Sequence, residues 1–129
     1  MRGNLICCKN LDFNKDRLCH TLGEVINRIE ISTRPKVLEI YVLIKLSGIE
    51  IDKSYEVEVQ FRNEDRTVVG YTDKFILYNR RGNKQVPGVD SSIKMKVVIT
   101  NTGNFTMDLM IDGEDIDSYP IYIFDQGDS

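Results

Sequence analysis

The 129-residue sequence contains few of the residues on which catalytic and metal sites commonly depend. It has no tryptophan, one histidine and three cysteines, and it lacks both a Gly-x-Ser-x-Gly motif and a glycine-rich phosphate-binding motif. Any histidine-dependent catalysis would have to use His20, because no other histidine is present. An odd number of cysteines does not suit a secreted scaffold held by disulfides. We therefore expect a non-enzymatic protein in a reducing, cytoplasmic environment.

Long hydrophobic runs are also missing. No segment reaches the roughly 20 apolar residues that a membrane-spanning helix needs, and the apolar run that begins at Leu5 is far too short for a signal peptide. The net charge is −3, whereas a nucleic-acid-binding domain is expected to be basic. These features predict no membrane partner, no nucleic-acid polymer and no cofactor.

Positive charge is absent from the C-terminal part of the sequence. From Asn101 onward there are seven acidic residues and no Lys or Arg, so the first hundred residues carry 17 basic against 13 acidic ones. This charge asymmetry has two explanations. The asymmetry indicates either oppositely charged surfaces that pair with a partner or a second copy, or an acidic loop followed by a solvated C terminus.

Two-residue periodicity is what the sequence has in abundance. Apolar residues occupy positions 105, 107, 109 and 111, and this segment closes on Asp112-Gly113, a favoured tight-turn pair. The same alternation runs through residues 36–47, 55–62 and 93–99. The pattern predicts an all-β domain of seven to nine short antiparallel strands, an immunoglobulin-like two-sheet β-sandwich rather than a closed barrel. We expect one domain over residues 1–125 and a frayed tail at 126–129.

Other segments give more local predictions. Residues 5–9 and 17–22 are predicted to pair as an opening hairpin, and 23–31 fits a strand better than a helical turn because β-branched residues are dense there. Residues 67–78 predict one long or two short strands, with a bulge or bend at Gly70. Residues 112–118 read as an acidic turn region. Because Pro120 lacks a backbone donor, the last strand, 118–124, is predicted to lie at a sheet edge or to start after Pro120.

The cysteines and the histidine resemble a zinc ligand set in composition: Cys7, Cys8, Cys19 and His20. Adjacent residues on a strand point to opposite faces, so Cys7 and Cys8 could not easily share a metal ion. The same argument separates Cys19 from His20 as a catalytic pair. Cysteine also packs as a small hydrophobic residue. Buried packing is therefore favoured, and no metal site is predicted here.

An acidic run invites a calcium interpretation. Its candidate ligands are Asp112, Glu114, Asp115 and Asp117, since carboxylates in loops can supply the oxygen ligands that calcium needs. The run lacks the spacing of the helix-loop-helix calcium loop. Turn chemistry explains Asp112 and Gly113 better, so calcium remains the weaker interpretation.

A basic cluster lies in the one long predicted loop, residues 79–90. Arg80, Arg81 and Lys84 could bind a phosphorylated molecule, because guanidinium groups suit bidentate phosphate recognition. The alternative is a flexible, solvated loop.

Several apolar residues lie opposite the core faces of their predicted strands. They are Tyr41, Leu43, Val98, Met110, Tyr122 and Phe124. If they align on one sheet, they form an exposed apolar patch of the kind that marks an interaction surface. The alternative is that loops or the opening hairpin cover them.

The order of several segments resembles a family of small, uncharacterised β-sandwich proteins of bacteria and their phages. The segments are the Leu-Ile-Cys-Cys-Lys strand, the stretch from Thr21 to Ile29, the long strand after Pro35, the Gly-Asn-Phe…Ile-Asp-Gly-Glu hairpin and the closing Pro-Ile-Tyr-Ile-Phe strand. The resemblance implies a cytoplasmic, immunoglobulin-like sandwich and supplies no active-site residues.

The residues themselves favour a protein-interaction or homo-oligomerisation module. The alternative function is binding or sequestering a small phosphorylated ligand, such as a nucleotide, through the 80–84 loop.

Overall fold

The computed structural model describes residues 1–126, and over that range the chain forms eleven β-strands and no helix. In chain order the strands are β1 (Arg2–Cys8), β2 (Leu11–Asn14), β3 (Cys19–Leu22), β4 (Arg28–Ile31), β5 (Lys36–Ser47), β6 (Ser54–Arg62), β7 (Val68–Tyr71), β8 (Phe75–Tyr78), β9 (Gly88–Ile99), β10 (Gly103–Ile111) and β11 (Glu114–Asp125). The all-β class is confirmed, whereas the predicted count of seven to nine strands is lower than the eleven observed over residues 1–126. The frayed tail predicted at 126–129 falls, from residue 127 onward, outside the described residues.

The strands form two sheets and a separate hairpin. The smaller sheet has the order β1-β5-β9, and the larger has the order β4-β11-β10-β6-β7, with β8 beside β7 on the same side of β6. Strands β2 and β3 pair with each other. Neighbouring strands are antiparallel, except that β4 runs parallel to β11.

The hydrophobic core lies between the two sheets. From β5, the side chains of Ile40, Val42, Ile44 and Leu46 are fully buried, as are Val57, Val59 and Phe61 of β6. The rings of Phe61 and Phe105 lie 5.2 Å apart within this core. Each such side chain contributes about 1.5–3 kcal/mol through burial. The alternation predicted for residues 36–47 is confirmed, and the fold resembles a β-sandwich.

The tight turn predicted at Asp112-Gly113 is also confirmed. Ile111 pairs with Glu114, which leaves a two-residue loop whose φ angles are 51° at Asp112 and 82° at Gly113. Positive φ at both positions is the requirement of the turn that matches strand twist. Because the turn is so short, β11 begins at Glu114. The acidic residues after Gly113 therefore lie on a strand, which corrects the predicted turn region over 112–118.

The N-terminal segment pairs differently from the prediction. Strand β1 does not pair with residues 17–22; it pairs with β5, so that Leu5 lies opposite Ile44 and Cys7 opposite Val42. This pairing buries Leu5 and Cys7 in the core, which a surface hairpin could not do. A hairpin does follow, but β2 and β3 form it. Of residues 23–31, only Arg28–Ile31 is a strand.

Gly70 behaves as expected, whereas Pro120 does not. A register shift opposite Gly70 marks a bulge between β6 and β7, and a Cβ atom at Gly70 would collide with the side chain of Val97. Residues 67–78 contain two short strands, β7 and β8.

Strand β11 begins at Glu114, before Pro120, and lies between β10 and β4, which corrects the prediction of an edge strand or of a start after Pro120. At Pro120 itself β11 pairs with β10 alone, because β4 pairs only with the segment from Tyr122 onward. The Tyr122 amide donates to Asn27 on the β4 side, and amides two residues apart point the same way, so the missing Pro120 amide costs no bond to β10.

The charge asymmetry of the sequence is compensated within the fold. Asp108 pairs with Arg62 at 2.9 Å, Asp125 pairs with Arg34 at 2.6 Å, and Asp112 lies 4.0 Å from the ammonium group of Lys53. These carboxylates of the C-terminal segment find their partners in the basic first hundred residues. No helix of the described part is long and apolar enough to cross a membrane.

Candidate functional site

A cleft of about 620 Å³ opens between the β2–β3 hairpin and the neighbouring ends of β8 and β9. Phe13, Leu18 and His20 of the hairpin segment form one wall. The opposite wall consists of residues 76–78 and 89–91, and the loop that joins β8 to β9 contributes Arg80, Arg81 and Gln85.

The loop that carries the arginines is held by Asn79. Its side-chain oxygen accepts hydrogen bonds from the backbone amides of Arg81 at 3.1 Å and Gly88 at 2.9 Å. The amide of Arg80 also donates to the carbonyl of Gly88 at 2.9 Å. This pinning of the two ends of the loop is typical of Asn in turns. It places both arginine backbones at the edge of the cleft.

The two guanidinium groups are positioned in different ways. Arg80 donates to the Tyr78 hydroxyl at 2.8 Å, and its guanidinium carbon lies 5.1 Å from the centre of the Tyr78 ring. Arg81 donates to Asp90 at 3.3 Å, and Asp90 also accepts from Lys45 at 3.2 Å. Two cationic groups, Arg81 and Lys45, thus share the Asp90 carboxylate. Within residues 1–126, Arg80 contacts Tyr78 and has no acidic partner, so this side of the cleft has an excess of positive charge.

The structure separates the three basic residues singled out in the sequence. Arg80 and Arg81 both line the cleft, whereas Lys84 is exposed and lies outside the lining residues. Both arginines and Asp90 therefore line one concave site.

The hairpin wall was not anticipated from the sequence. The rings of Phe13 and His20 lie 5.0 Å apart, and Leu18 is 78% exposed with a φ of 53°. The available signal was an aromatic and a leucine in a segment otherwise rich in turn residues. Aromatic and apolar surface beside positive charge is typical of small-ligand sites.

The cysteines divide between the core and the surface. Cys7 and Cys8 are fully buried on opposite faces of β1, whereas Cys19 is exposed. Burial raises the pKa of the Cys7 thiol to about 12, with a further contribution from Cys8, and burial also raises the pKa of Cys8. Buried packing is confirmed for these two residues. Among the described residues, no group of three or more His, Cys, Asp or Glu side chains is placed to hold a metal ion.

The calcium candidates are not gathered into one loop. Asp112 accepts a hydrogen bond from the Glu56 amide at 2.9 Å, and Asp117 accepts one from the Leu5 amide at 2.8 Å. Glu114 and Asp115 are exposed at the start of β11. Asp112 and Asp117 accept bonds from two different strands, and the four carboxylates are not placed to hold a metal ion together.

The six apolar interface candidates lie on two different faces. Tyr41, Leu43 and Val98 belong to the outer face of the smaller sheet, and Met110, Tyr122 and Phe124 to that of the larger. Leu43 is only 4% exposed, and β2 contacts β5, the strand that carries it. Leu43 is therefore covered rather than exposed, and the six residues do not form one patch.

Part of this set does form a local surface cluster. The Tyr122 and Phe124 rings stack with centroids 5.6 Å apart and an 11° angle between planes, and the Arg28 guanidinium lies 4.7 Å from the Phe124 centroid. Met110 lies about six residues along the neighbouring strand from Asn104, the partner of Tyr122, which is roughly 20 Å away.

A polar cluster on the larger sheet was also missed. Asp108 is 2% exposed and accepts hydrogen bonds from Arg62 at 2.9 Å, Arg66 at 3.3 Å and Ser118 at 2.6 Å. The Thr106 hydroxyl also donates to the Asp108 carboxylate, at 3.3 Å. The sequence shows Asp108 only as an outward-facing strand residue, because its partners come from β6, the following turn and β11.

Comparison with known proteins adds little. No family model and no curated protein matches the chain. Among solved structures, it is similar to a glycosyl hydrolase family 2 member from Bacteroides cellulosilyticus, with 12% identity and a TM-score of 0.45 over 70% of this chain. It is also similar to a bacterial adhesin from Mobiluncus mulieris containing intramolecular disulfide, isopeptide and ester bond cross-links, with 10% identity and a TM-score of 0.45 over the whole chain. The chain spans 13% and 51% of those two proteins, and these distant likenesses assign it no function.

Proposed function

We propose that this protein is a non-enzymatic binding module, an immunoglobulin-like β-sandwich that captures an anionic ligand in the cleft beside β8 and β9. The observation that supports this function most directly is that Arg80 and Arg81 line the same cleft. The two packed sheets and their largely antiparallel pairing support the immunoglobulin-like part of the proposal.

The cleft supports this function because its polar and apolar parts are complementary to an organic anion. Guanidinium groups bind phosphate or carboxylate oxygens in pairs, and the Tyr78 hydroxyl already directs Arg80. Phe13 and Leu18 offer apolar surface for the uncharged part of a ligand. A phosphorylated small molecule, a nucleotide among them, meets both requirements.

A thermal-shift measurement with pyrophosphate and with a nucleoside diphosphate tests the proposal. A ligand at about ten times its Kd stabilises the folded state by roughly 1.4 kcal/mol, which corresponds to about 5 °C in Tm for a domain of this size. The double variant Arg80→Ala, Arg81→Ala is expected to lose that rise. Lys84→Ala is the matched control, because Lys84 shares the loop but does not line the cleft.

Two outcomes would contradict the proposal. One is the absence of any rise in Tm with either anion. The other is an equal loss in the Lys84→Ala control, which would indicate attraction by loop charge rather than a site in the cleft.

A second candidate function is binding to another protein or to a second copy of the chain. The stacked pair Tyr122 and Phe124 supports it, because 39% of the Tyr122 surface is exposed beside the Arg28 guanidinium. Aromatic residues and arginine are enriched where proteins bind one another.

Native mass spectrometry of the wild type and of Tyr122→Ser tests this second function. A symmetric oligomer that becomes a monomer in the variant would support it, and Val98→Ser, an exposed residue on the opposite sheet, is the control. A wild-type protein that is monomeric would exclude self-association through this cluster.

A further inference from the structure

The cleft also has the geometry of a site for main-chain recognition. We propose that it binds an extended acidic peptide, which adds as a strand to the unpaired edge of β9. This inference rests on the proposed function, because it uses the same cleft and the same arginines, and it names one source of the anionic ligand: the carboxylates of an acidic peptide.

The lining residues show that the cleft lies against strand edges. Residues 76–78 of β8 and 89–91 of β9 line it as two runs of three consecutive residues. A cavity over the face of a sheet would touch alternate residues of a strand, because successive side chains point to opposite faces. Consecutive residues are touched where the strand is approached from the side.

Hydrogen-bond direction identifies which groups of β9 are available. Just before β9, the carbonyl of Pro87 accepts from the Gly48 amide at 2.8 Å, on the β5 side. The carbonyl of Gly88 instead accepts from the Arg80 amide, on the opposite side. Backbone groups alternate along an antiparallel strand, and the β5–β9 register has no shift. The amides and carbonyls of Asp90 and Ser92 therefore point away from β5.

That edge has no strand partner within residues 1–126. Strand β9 is twelve residues long and pairs with β5 alone, and β8 pairs with β6 alone. Strand β7 packs against β9 near Val97, so the part of the edge that is open to a ligand is the first half of β9, beside the cleft. An unpaired edge there is a template for an added strand. The Arg80 amide occupies only the first outward position, at Gly88.

The side chains around the edge favour an acidic peptide of alternating pattern. A strand added beside β9 would point every second side chain towards Leu77 and Val89, which lie against the hydrophobic core. The side chains between them would lie beside Arg81 and the exposed Lys94. A peptide in which acidic and apolar residues alternate would therefore place its apolar side chains towards the core and its acidic side chains beside Arg81 and Lys94.

A second copy of β9 is a poorer occupant. It would bring its own Lys94 and Lys96 to an edge that already carries these two residues. Lysine on an edge strand is a common protection against self-pairing.

The first experiment follows amide hydrogen exchange by NMR in the full chain. In the free protein, the amides of Asp90 and Ser92 are expected to exchange quickly and those of Ser91 and Ile93, which face β5, slowly. Saturation with an acetylated, amidated peptide of alternating Glu and Val, eight residues long, is expected to slow the Asp90 and Ser92 amides at least tenfold.

Two controls separate strand addition from attraction between charges. N-methylation of the peptide on alternate residues removes its donors but not its charge, and it is expected to weaken binding about tenfold or more. In the protein, Ser92→Pro removes an outward donor without removing a bond to β5, so the fold is retained and peptide binding is lost.

The outcomes distinguish this inference from the proposed function. If pyrophosphate raises Tm in an arginine-dependent way but the N-methylated peptide binds as well as its parent, the cleft is an anion site and strand addition is refuted. If neither pyrophosphate nor the peptide binds, both proposals fail. Protection of Asp90 and Ser92 that disappears on N-methylation supports both.

Discussion

Replacing Asp108 with alanine is expected to destabilise the fold more than any substitution at an exposed carboxylate. Asp108 is 2% exposed, and the side chain of Arg62, its nearest cationic partner, is only 17% exposed. Removing one member of a buried ion pair leaves the other charge buried without compensation, which costs about 3–5 kcal/mol. Arg62 also donates to Gln60, so we expect the lower end of that range, about 3 kcal/mol.

Two further variants show how much of this destabilisation comes from the charge of Asp108 and how much from its pairing with Arg66. Asp108→Asn keeps an acceptor for Ser118 and loses the charge, so it should cost about 1–2 kcal/mol. Arg66→Ala should cost less than 1 kcal/mol, because its side chain is 57% exposed and solvent screens the pair.

Equilibrium unfolding in urea at pH 7 measures these differences as shifts of the midpoint at constant slope. A double-mutant cycle between Asp108 and Arg62 then isolates their coupling, which should exceed the coupling between Asp108 and Arg66. An Asp108→Ala variant that loses less than 1 kcal/mol would refute the reasoning, since the carboxylate would then behave as a surface charge.

Two further predictions concern packing and thiol reactivity. Gly70→Ala should destabilise by about 1–3 kcal/mol, because its new methyl group meets the Val97 side chain, and adding Val97→Ala should recover part of the loss in the same urea assay. At pH 8 a thiol reagent should label Cys19 at once and the two buried cysteines only on unfolding; equally fast labelling of all three would contradict the burial. The pKa of Cys7 is about 12 in the folded protein, against an ordinary 9.0. The contribution of the neutral thiol to the free energy of unfolding is therefore complete below pH 9 and declines as the pH rises towards 12. Unfolding curves at pH 8 and pH 10.5 would detect this decline.

The alternation of apolar and polar residues was sufficient to predict a strand wherever one face of that strand is buried. Strand β5 begins and ends where its alternation does, and the Asp112-Gly113 turn follows from the demand for positive φ at two adjacent positions. In both cases the determining interactions lie within a few residues of one another.

Pairing partners could not be predicted in the same way. The sequence of β1 is equally consistent with pairing to residues 17–22 or to β5, because both alternatives are antiparallel and apolar. The choice is made by the core, which buries Leu5 and Cys7 only when β1 lies in the smaller sheet.

For the candidate site too, some residues could be predicted from the sequence and others depend on the tertiary structure. Guanidinium chemistry marked Arg80 and Arg81 in the sequence, but nothing local indicates that Lys84, three residues further on, lies outside the cleft. Phe13 and His20 are about 60 residues from the arginines in sequence, so only the docking of the hairpin brings them to one site.

The sequence by itself therefore determined the all-β class, strand β5, the tight turn and the burial of Cys7. These follow from side-chain alternation and local backbone preference, which act within one strand or turn. Tertiary structure alone decided that Leu43 is covered and that Asp108 is buried among arginines. It also decided that, within residues 1–126, β9 has an unpaired edge beside the basic loop. Those features depend on which strands become neighbours, and that choice is made by burial summed over the whole core rather than by any one segment.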